Sequence, residues 1–162
     1  MTENADRDSN RRAELLRDLK GPYLGLDVGD VRIGVAVSDP EAVIARPLDT
    51  VHRTPKKACL DRLESIVRET GAAGAVVGLP LLESGKEGEQ AERTRAFMRS
   101  LARRIPNLQY TFWDERFTSR DADAFQHDRG EHRKRKRKNE GSRRDELAAA
   151  MILQEWLDER SR

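Results

Sequence analysis

Three acids, Asp27, Glu115 and Asp145, are spaced through this sequence so that each falls beside an apolar run. Asp27 closes the run that starts at Tyr23, and Gly25 and Gly29 flank it. Glycines beside an acid leave the backbone open to a bulky charged group. Glu115, in Asp114-Glu-Arg116, follows the run Leu108 to Trp113, and Asp145 stands just before the apolar stretch Leu147 to Leu153. Carboxylates that converge in one cleft repel each other and call for cations. Mg²⁺ or Mn²⁺ would suit them, because hard cations take oxygen ligands and share them with phosphate oxygens. Two such ions about 3.5–4 Å apart can stabilise both the attacking and the leaving oxygen of an in-line phosphoryl displacement. That chemistry needs no Ser, Cys or His nucleophile. Each acid also has an ordinary structural reading: Asp27 as a turn former, Glu115 as a partner of Arg116, and Asp145 as an acid in the first turn of a helix.

Charge adds a second feature. The 162 residues carry a net charge of only +2. Residues 129–144 nevertheless hold nine Lys or Arg against Glu131 and Glu140, so the rest of the chain is mildly acidic. Six of the cations are consecutive: Arg133, Lys134, Arg135, Lys136, Arg137 and Lys138. Such a run reads either as a solvated loop or as a polyanion contact that holds phosphates without reading bases. Charged residues make up 37% of the chain and apolar ones 36%, which fits one globular domain with charged appendages. The single Cys59 rules out an intrachain disulfide and reads as a small core residue. His52, His127 and His132 are not at metal-ligand spacing, which argues against a structural zinc site. Trp113 could stack on a base or pack at the rim of the core. No run approaches the ~18 apolar residues of a membrane span, and the N-terminus lacks an apolar signal region, so a cytoplasmic protein is expected.

The elements that must position the acids follow from hydrophobic periodicity. Residues 1–20 read as a mobile charged arm, 21–158 as the domain with a basic loop at 129–140, and 159–162 as a tail. Tyr23 to Asp27 and Arg32 to Ser38 read as strands joined by a turn at Gly29-Asp30, where glycine permits a positive φ. A third strand lies within Ala45 to Val51, with Arg46 and Pro47 marking it as an edge. Helical spacing then runs from Pro55 to Thr70, with Gly71 as C-cap. Ala75 to Gly78 is a short buried strand, Gln90 to Arg104 a second helix and Leu108 to Trp113 a fifth strand. A third helix is expected from Thr118 to about Asp128, and a last, mostly buried one after Ser142 as N-cap. The order β-β-β-α-β-α-β-α-α predicts an α/β fold with a five-stranded mixed sheet and helices on both faces, which is the order of the ribonuclease H-like fold.

Several stretches together carry a family resemblance. They are Leu26-Asp-Val-Gly-Asp-Val-Arg-Ile-Gly-Val-Ala-Val-Ser-Asp39, Ala45-Arg-Pro-Leu48, Gly78-Leu-Pro80 with Gly85, Gly88 and Gln90, Asp114-Glu-Arg-Phe-Thr118, and Asp145-Glu-Leu-Ala-Ala149 with Ile152-Leu-Gln154. In this order they resemble the YqgF/RuvX family of ribonuclease H-like nucleases, over about residues 23–158. Members are regarded as candidate Holliday-junction resolvases and candidate pre-16S rRNA nucleases. The resemblance implies metal-binding roles for Asp27, Glu115 and Asp145, and it sets Arg32, Arg116 and Thr118 near the site, where an Arg could contact the scissile phosphate. Gly29 would let the phosphate backbone come close. The implied partner is branched DNA or precursor rRNA, and symmetric cutting of two strands would favour a homodimer. The chain departs from the family's pattern at Arg144, where the family is usually apolar, and in the density of its basic run.

Two other functions compete. The Asp-x-Gly turn also resembles the phosphate loop of actin-like ATPases, but those need two such lobes and this chain has room for one. A non-catalytic protein that binds RNA or branched DNA would account for the basic run but not for the three acids.

Overall fold

The computed structural model describes residues 11–115 and 137–162. Helix α1 spans residues 11–18. It is followed by β1 (Tyr23–Val28), β2 (Arg32–Ser38), β3 (Ala45–His52), α2 (Lys56–Thr70), β4 (Gly74–Leu79), α3 (Glu89–Arg104), β5 (Gln109–Asp114) and α4 (Arg137–Arg160). The strands form one sheet in the order β3-β2-β1-β4-β5. β2 runs antiparallel to both its neighbours, and β4 runs parallel to β1 and β5. The expected meander and two crossovers are present, and the sheet is of the ribonuclease H-like kind. The edge marked by Arg46 and Pro47 is real: β3 pairs with β2 alone, and the register slips so that Leu48 bulges out between Pro47 and Asp49. The helix expected from Thr118 to Asp128 lies outside the described residues.

Alternation along each strand sorts the side chains onto two faces. Leu24, Leu26, Ile33, Val35, Ala75 and Val77 point to α2 and α3, whose Leu63, Ile66, Met98 and Leu101 complete the larger core. Gly71 ends α2 in the left-handed region, φ 64°, as its C-cap position requires. The other face is made of small residues: Gly25, Gly34, Ala36, Val76 and Gly78. Helix α4 lies directly on it. A β-carbon on Gly25 would sit 2.5 Å from the Ala149 carbonyl oxygen and 2.8 Å from Leu153 Cβ, and one on Gly34 would run into the backbone of Asp145. Ala149, Leu153 and Trp156 recur at helical spacing along the buried side of α4 and bring the helix down onto the sheet. Burying such a large apolar side chain contributes about 1.5–3 kcal/mol each.

Both ends of α4 are tied down. Near its start, Thr50 on β3 donates from its hydroxyl to the Ser142 carbonyl at 2.7 Å, and further along the helix Gln154 bridges to the backbone of Val43 and Ala45. At its end, Trp156 packs against Tyr23 with ring centroids 5.0 Å apart, and Arg160 lies over both rings while donating to the Arg17 carbonyl.

Two expectations need correction. Helix α4 begins at Arg137, not after Ser142, so Arg137 and Lys138 are helical rather than part of a loop. Arg, Lys and Glu are good helix formers and extend the helix without any apolar pattern. Arg144 is exposed on this helix, so its departure from an apolar residue leaves the seating of α4 undisturbed. Residues 11–20 do not stand off as an arm: Leu16 is fully buried against Gly74, and the Tyr23 hydroxyl lies 2.7 Å from the Leu16 carbonyl. One buried leucine in a charged segment is too little periodicity to mark a docked helix.

The seating of α4 makes Gly34 a sensitive position. Gly34→Ala is expected to cost about 3 kcal/mol in urea denaturation. Gly71→Ala, whose β-carbon would meet nothing within 4 Å, should cost about 1–2 kcal/mol from backbone conformation alone. A smaller cost at Gly34 than at Gly71 would contradict the close approach.

Candidate active site

The three acids arrive at the C-terminal edge of the parallel strands from three separate elements. Asp27 is the fifth residue of β1 and shares the α4 face with Tyr23 and Gly25 by alternation. Its partner across the ladder is Gly34, which leaves the space above it clear. Glu115 follows directly on β5. Strand β4 separates β5 from β1, and the residue beneath Glu115 is Gly78: a β-carbon there would clash with the Glu115 carboxyl and would lie 2.6 Å from Ile152 Cδ1. Glycine at 78 therefore lets the Glu115 side chain lie across β4. It hydrogen-bonds to Asp27. Asp145 sits in the third turn of α4, its backbone against Gly34 and its carboxylate accepting from Arg32 Nε at 2.7 Å.

The electrostatics are those of carboxylates forced together. Glu115 is pushed up to about 7, first by burial and then by the neighbouring charge of Asp27, the hydrogen bond to it and the charge of Asp114. Asp27 is also raised, by burial and by repulsion from Asp145, against the hydrogen bond from Glu115. Below about pH 7 the pair holds a proton, with Glu115 donating its O–H to the Asp27 carboxylate, because two adjacent carboxylates cannot both ionise cheaply. Arg32 offsets the third charge, and this ion pair is only partly buried, at 33% and 25% side-chain exposure.

Among the described residues, no group of three or more His, Cys, Asp or Glu side chains is gathered tightly enough to hold a metal ion. The arrangement is a proton-sharing pair with a third carboxylate near enough to repel it but turned to Arg32. The donor set still fits a hard divalent cation: every donor is a carboxylate oxygen, the pair stays together only by keeping a proton, and a cation would take the place of that proton and of Arg32.

The remaining expected positions divide. Arg32 is beside the centre, but its Nε is committed to Asp145. Gly29 does not have a positive φ. Its N–H donates to the Arg32 carbonyl at 2.9 Å, and a β-carbon there would sit 2.8 Å from that same oxygen, so this glycine serves to close the turn tightly. Arg116, Thr118, Arg133, Lys134, Arg135 and Lys136 lie outside the described residues, and Arg137 and Lys138 are placed only as the first residues of α4. Trp113 packs with the α4 core and donates from Nε1 to Glu155 at 3.1 Å, which favours the packing reading. His52 is exposed and Cys59 buried. Sequence reasoning missed Gly78, whose role depends on a side chain 37 residues away, and the cations Arg53, Lys56 and Arg93, which no motif links.

A sheet of this order with carboxylates meeting at the C-terminal edge of its parallel strands defines a protein of the ribonuclease H-like class. More particularly, the chain belongs to the RuvX family, described as a Holliday junction resolvase, whose model matches residues 21–159. It is 41% identical to a candidate pre-16S rRNA nuclease of Nocardia farcinica over 150 residues, covering 88% of this chain and 80% of the relative. A protein of the same description from Pelotomaculum thermopropionicum is 40% identical, covering 86% of this chain and 88% of its own. Among solved structures, the chain is similar to RuvC of T. thermophilus in complex with a Holliday junction, at 12% identity and a TM-score of 0.49, covering 87% of this chain and 96% of that one.

The raised Glu115 has a consequence for stability. Its folded value of about 7 lies above the ordinary 4.5, so between those pH values the native state holds a proton that the unfolded chain has released. The contribution of this proton to stability in metal-free buffer is therefore fully present below about pH 4.5 and is lost as pH rises through 7. Glu115→Gln removes this loss. Its melting temperature at pH 8 should exceed that of the wild type by about 5 °C, corresponding to roughly 1–2 kcal/mol, with no gain at pH 4. Parallel pH profiles for the two proteins would contradict the shared proton.

Proposed function

We propose that this protein is a divalent-metal-dependent endonuclease that hydrolyses phosphodiester bonds in structured nucleic acid. The observation that carries the reading is the meeting of Asp27 and Glu115 across Gly78, with Asp145 brought beside them by α4. Membership of the RuvX family and the names of the curated relatives support the same chemistry. Asp27, Glu115 and Asp145 would hold Mg²⁺ or Mn²⁺, as two ions sharing these acids. Metal of this kind supplies charge for the transferring phosphoryl group and a water activated for attack.

The chain's own residues do the rest. Glu115 gives up its proton when the centre is loaded, and Asp27 then presents a full carboxylate. Arg32 orients Asp145 in the free protein and, once released, stands beside the phosphate as a fork-shaped donor. The cations at 133–138 hold phosphates on either side and set the salt dependence of binding. Arg116 and Thr118 complete the phosphate contacts. The substrate is branched DNA or precursor rRNA, the two classes that the family's description and its relatives' names supply, and a resolving cut would be made by a homodimer. Among the described residues no helix is long and apolar enough to cross a membrane, in keeping with a cytoplasmic nuclease.

The test compares cleavage of a four-way junction, a matched duplex and a precursor rRNA in Mg²⁺ or Mn²⁺. Asp27→Asn, Glu115→Gln and Asp145→Asn should each lower the cleavage rate by about a hundredfold or more, the scale of losing a group that stabilises the transition state. Binding of the same substrates in EDTA should persist. Wild-type rates in any two of the variants would remove the assignment. Metal-stimulated cleavage of none of the three substrates would remove the function.

A further inference from the structure

A cleft of about 470 Å³ lies at the same edge of the sheet as the carboxylates, on the opposite face. It is bounded by the β1–β2 turn, the start of α2 and the first half of α3, and three cations line it: Arg53, Lys56 and Arg93. Arg53 is held in place. Its guanidinium lies 4.9 Å over the Phe97 ring, and one of its N–H groups donates to the Gly29 carbonyl at 3.1 Å. Lys56 donates from Nζ to the Ser100 hydroxyl at 3.1 Å. Among the described residues neither Arg53 nor Lys56 has an acidic partner. The one acid in the lining, Asp30, is answered by Arg93 at 3.3 Å, which also pairs with Glu89 at 2.5 Å, so the free positive charge is that of Arg53 and Lys56.

We propose that this cleft binds a backbone phosphate of the strand that reaches the carboxylate centre, and this rests on the nuclease reading above. Several observations converge on a phosphate. The lining offers excess positive charge, a hydroxyl and a guanidinium whose ordering has been met by stacking, so little freedom is lost on binding. Position fixes which phosphate. Gly29 and Asp30 join the cleft to Asp27 through the same turn, and three residues span at most about 10 Å. At a rise of about 3.4 Å per nucleotide in one strand, the cleft would hold a phosphate within about three nucleotides of the scissile bond. The Arg53 contact to the Gly29 carbonyl also ties the cleft to the turn that carries the catalytic strand's end.

The experiment measures binding of a labelled four-way junction and a labelled precursor-rRNA fragment in EDTA, by fluorescence anisotropy between 50 and 200 mM salt. Each lost phosphate contact should lower the log–log salt slope by about 0.7–0.9. The triple variant Arg53→Gln/Lys56→Gln/Arg93→Gln should therefore lose just under 1 from the slope, and Lys56→Gln alone a measurable part of that loss. Arg68→Gln, the same charge change at the far end of α2, should leave the slope unchanged. Lys56 is exposed, so its single variant decides the matter if the triple variant unfolds by circular dichroism. A wild-type slope in Lys56→Gln, or an equal loss in Arg68→Gln, would overturn the cleft while wild-type cleavage of either substrate leaves the nuclease reading standing. A wild-type protein that neither binds nor cuts would overturn both.

Discussion

The structure depends on how closely helix α4 can approach the sheet. Gly25, Gly34 and Gly78 strip one face of β1, β2 and β4 of side chains, and α4 rests its backbone in the space they leave. A single β-carbon at Gly34 would lift the turn that carries Asp145, and one at Gly78 would block Glu115 from crossing β4 to Asp27. The same glycines that would weaken isolated strands thus determine where two of the three acids stand. The cost in local strand stability is offset by the second core, where Leu153, Trp156 and Leu157 are buried against Tyr23, Val76 and Leu16.

That approach creates an electrostatic tension which the free protein relieves in two ways. Glu115 keeps a proton and donates it to Asp27, and Arg32 neutralises Asp145. Both are substitutes for positive charge at the centre. Gly141 contributes here too. A β-carbon on it would sit 2.8 Å from an Arg32 guanidinium nitrogen, so glycine at this helical position makes room for the arginine despite its cost of about 1 kcal/mol in a helix. Under the proposed nuclease reading, an acidic centre held in this state would exchange a proton and an arginine for a divalent cation and the phosphates that accompany it.

Much of this was legible in the sequence because the acids end elements whose periodicity is clear. Asp27 closes an apolar strand, Glu115 follows another, and Asp145 precedes a nearly continuous apolar helix; these positions left a shared site open, and the family resemblance is what implied that the three act together. The change from period two to helical spacing after Val51 placed the crossovers. What was not legible depends on contacts between distant segments. Gly78 and Gly141 look like ordinary breakers until Glu115 and Arg32 are seen against them. The start of α4 at Arg137 has no apolar pattern to announce it. The turn at Gly29 was expected to use a positive φ, whereas the close approach of the Arg32 carbonyl is what requires glycine. Arg53, Lys56 and Arg93 come from three elements and meet only in the fold.

The central claim is that Asp27, Glu115 and Asp145 form one cation-binding centre under α4. Calorimetric titration of Mn²⁺ into the metal-free protein at pH 7.5, without nucleic acid, tests it most directly. Saturable binding should weaken by about tenfold or more in each of Asp27→Asn, Glu115→Gln and Asp145→Asn, since each removes one charged ligand, at about 1.4 kcal/mol per factor of ten. Wild-type affinity in Asp145→Asn, or no saturable binding in the wild type, would contradict the claim that the last helix completes the centre.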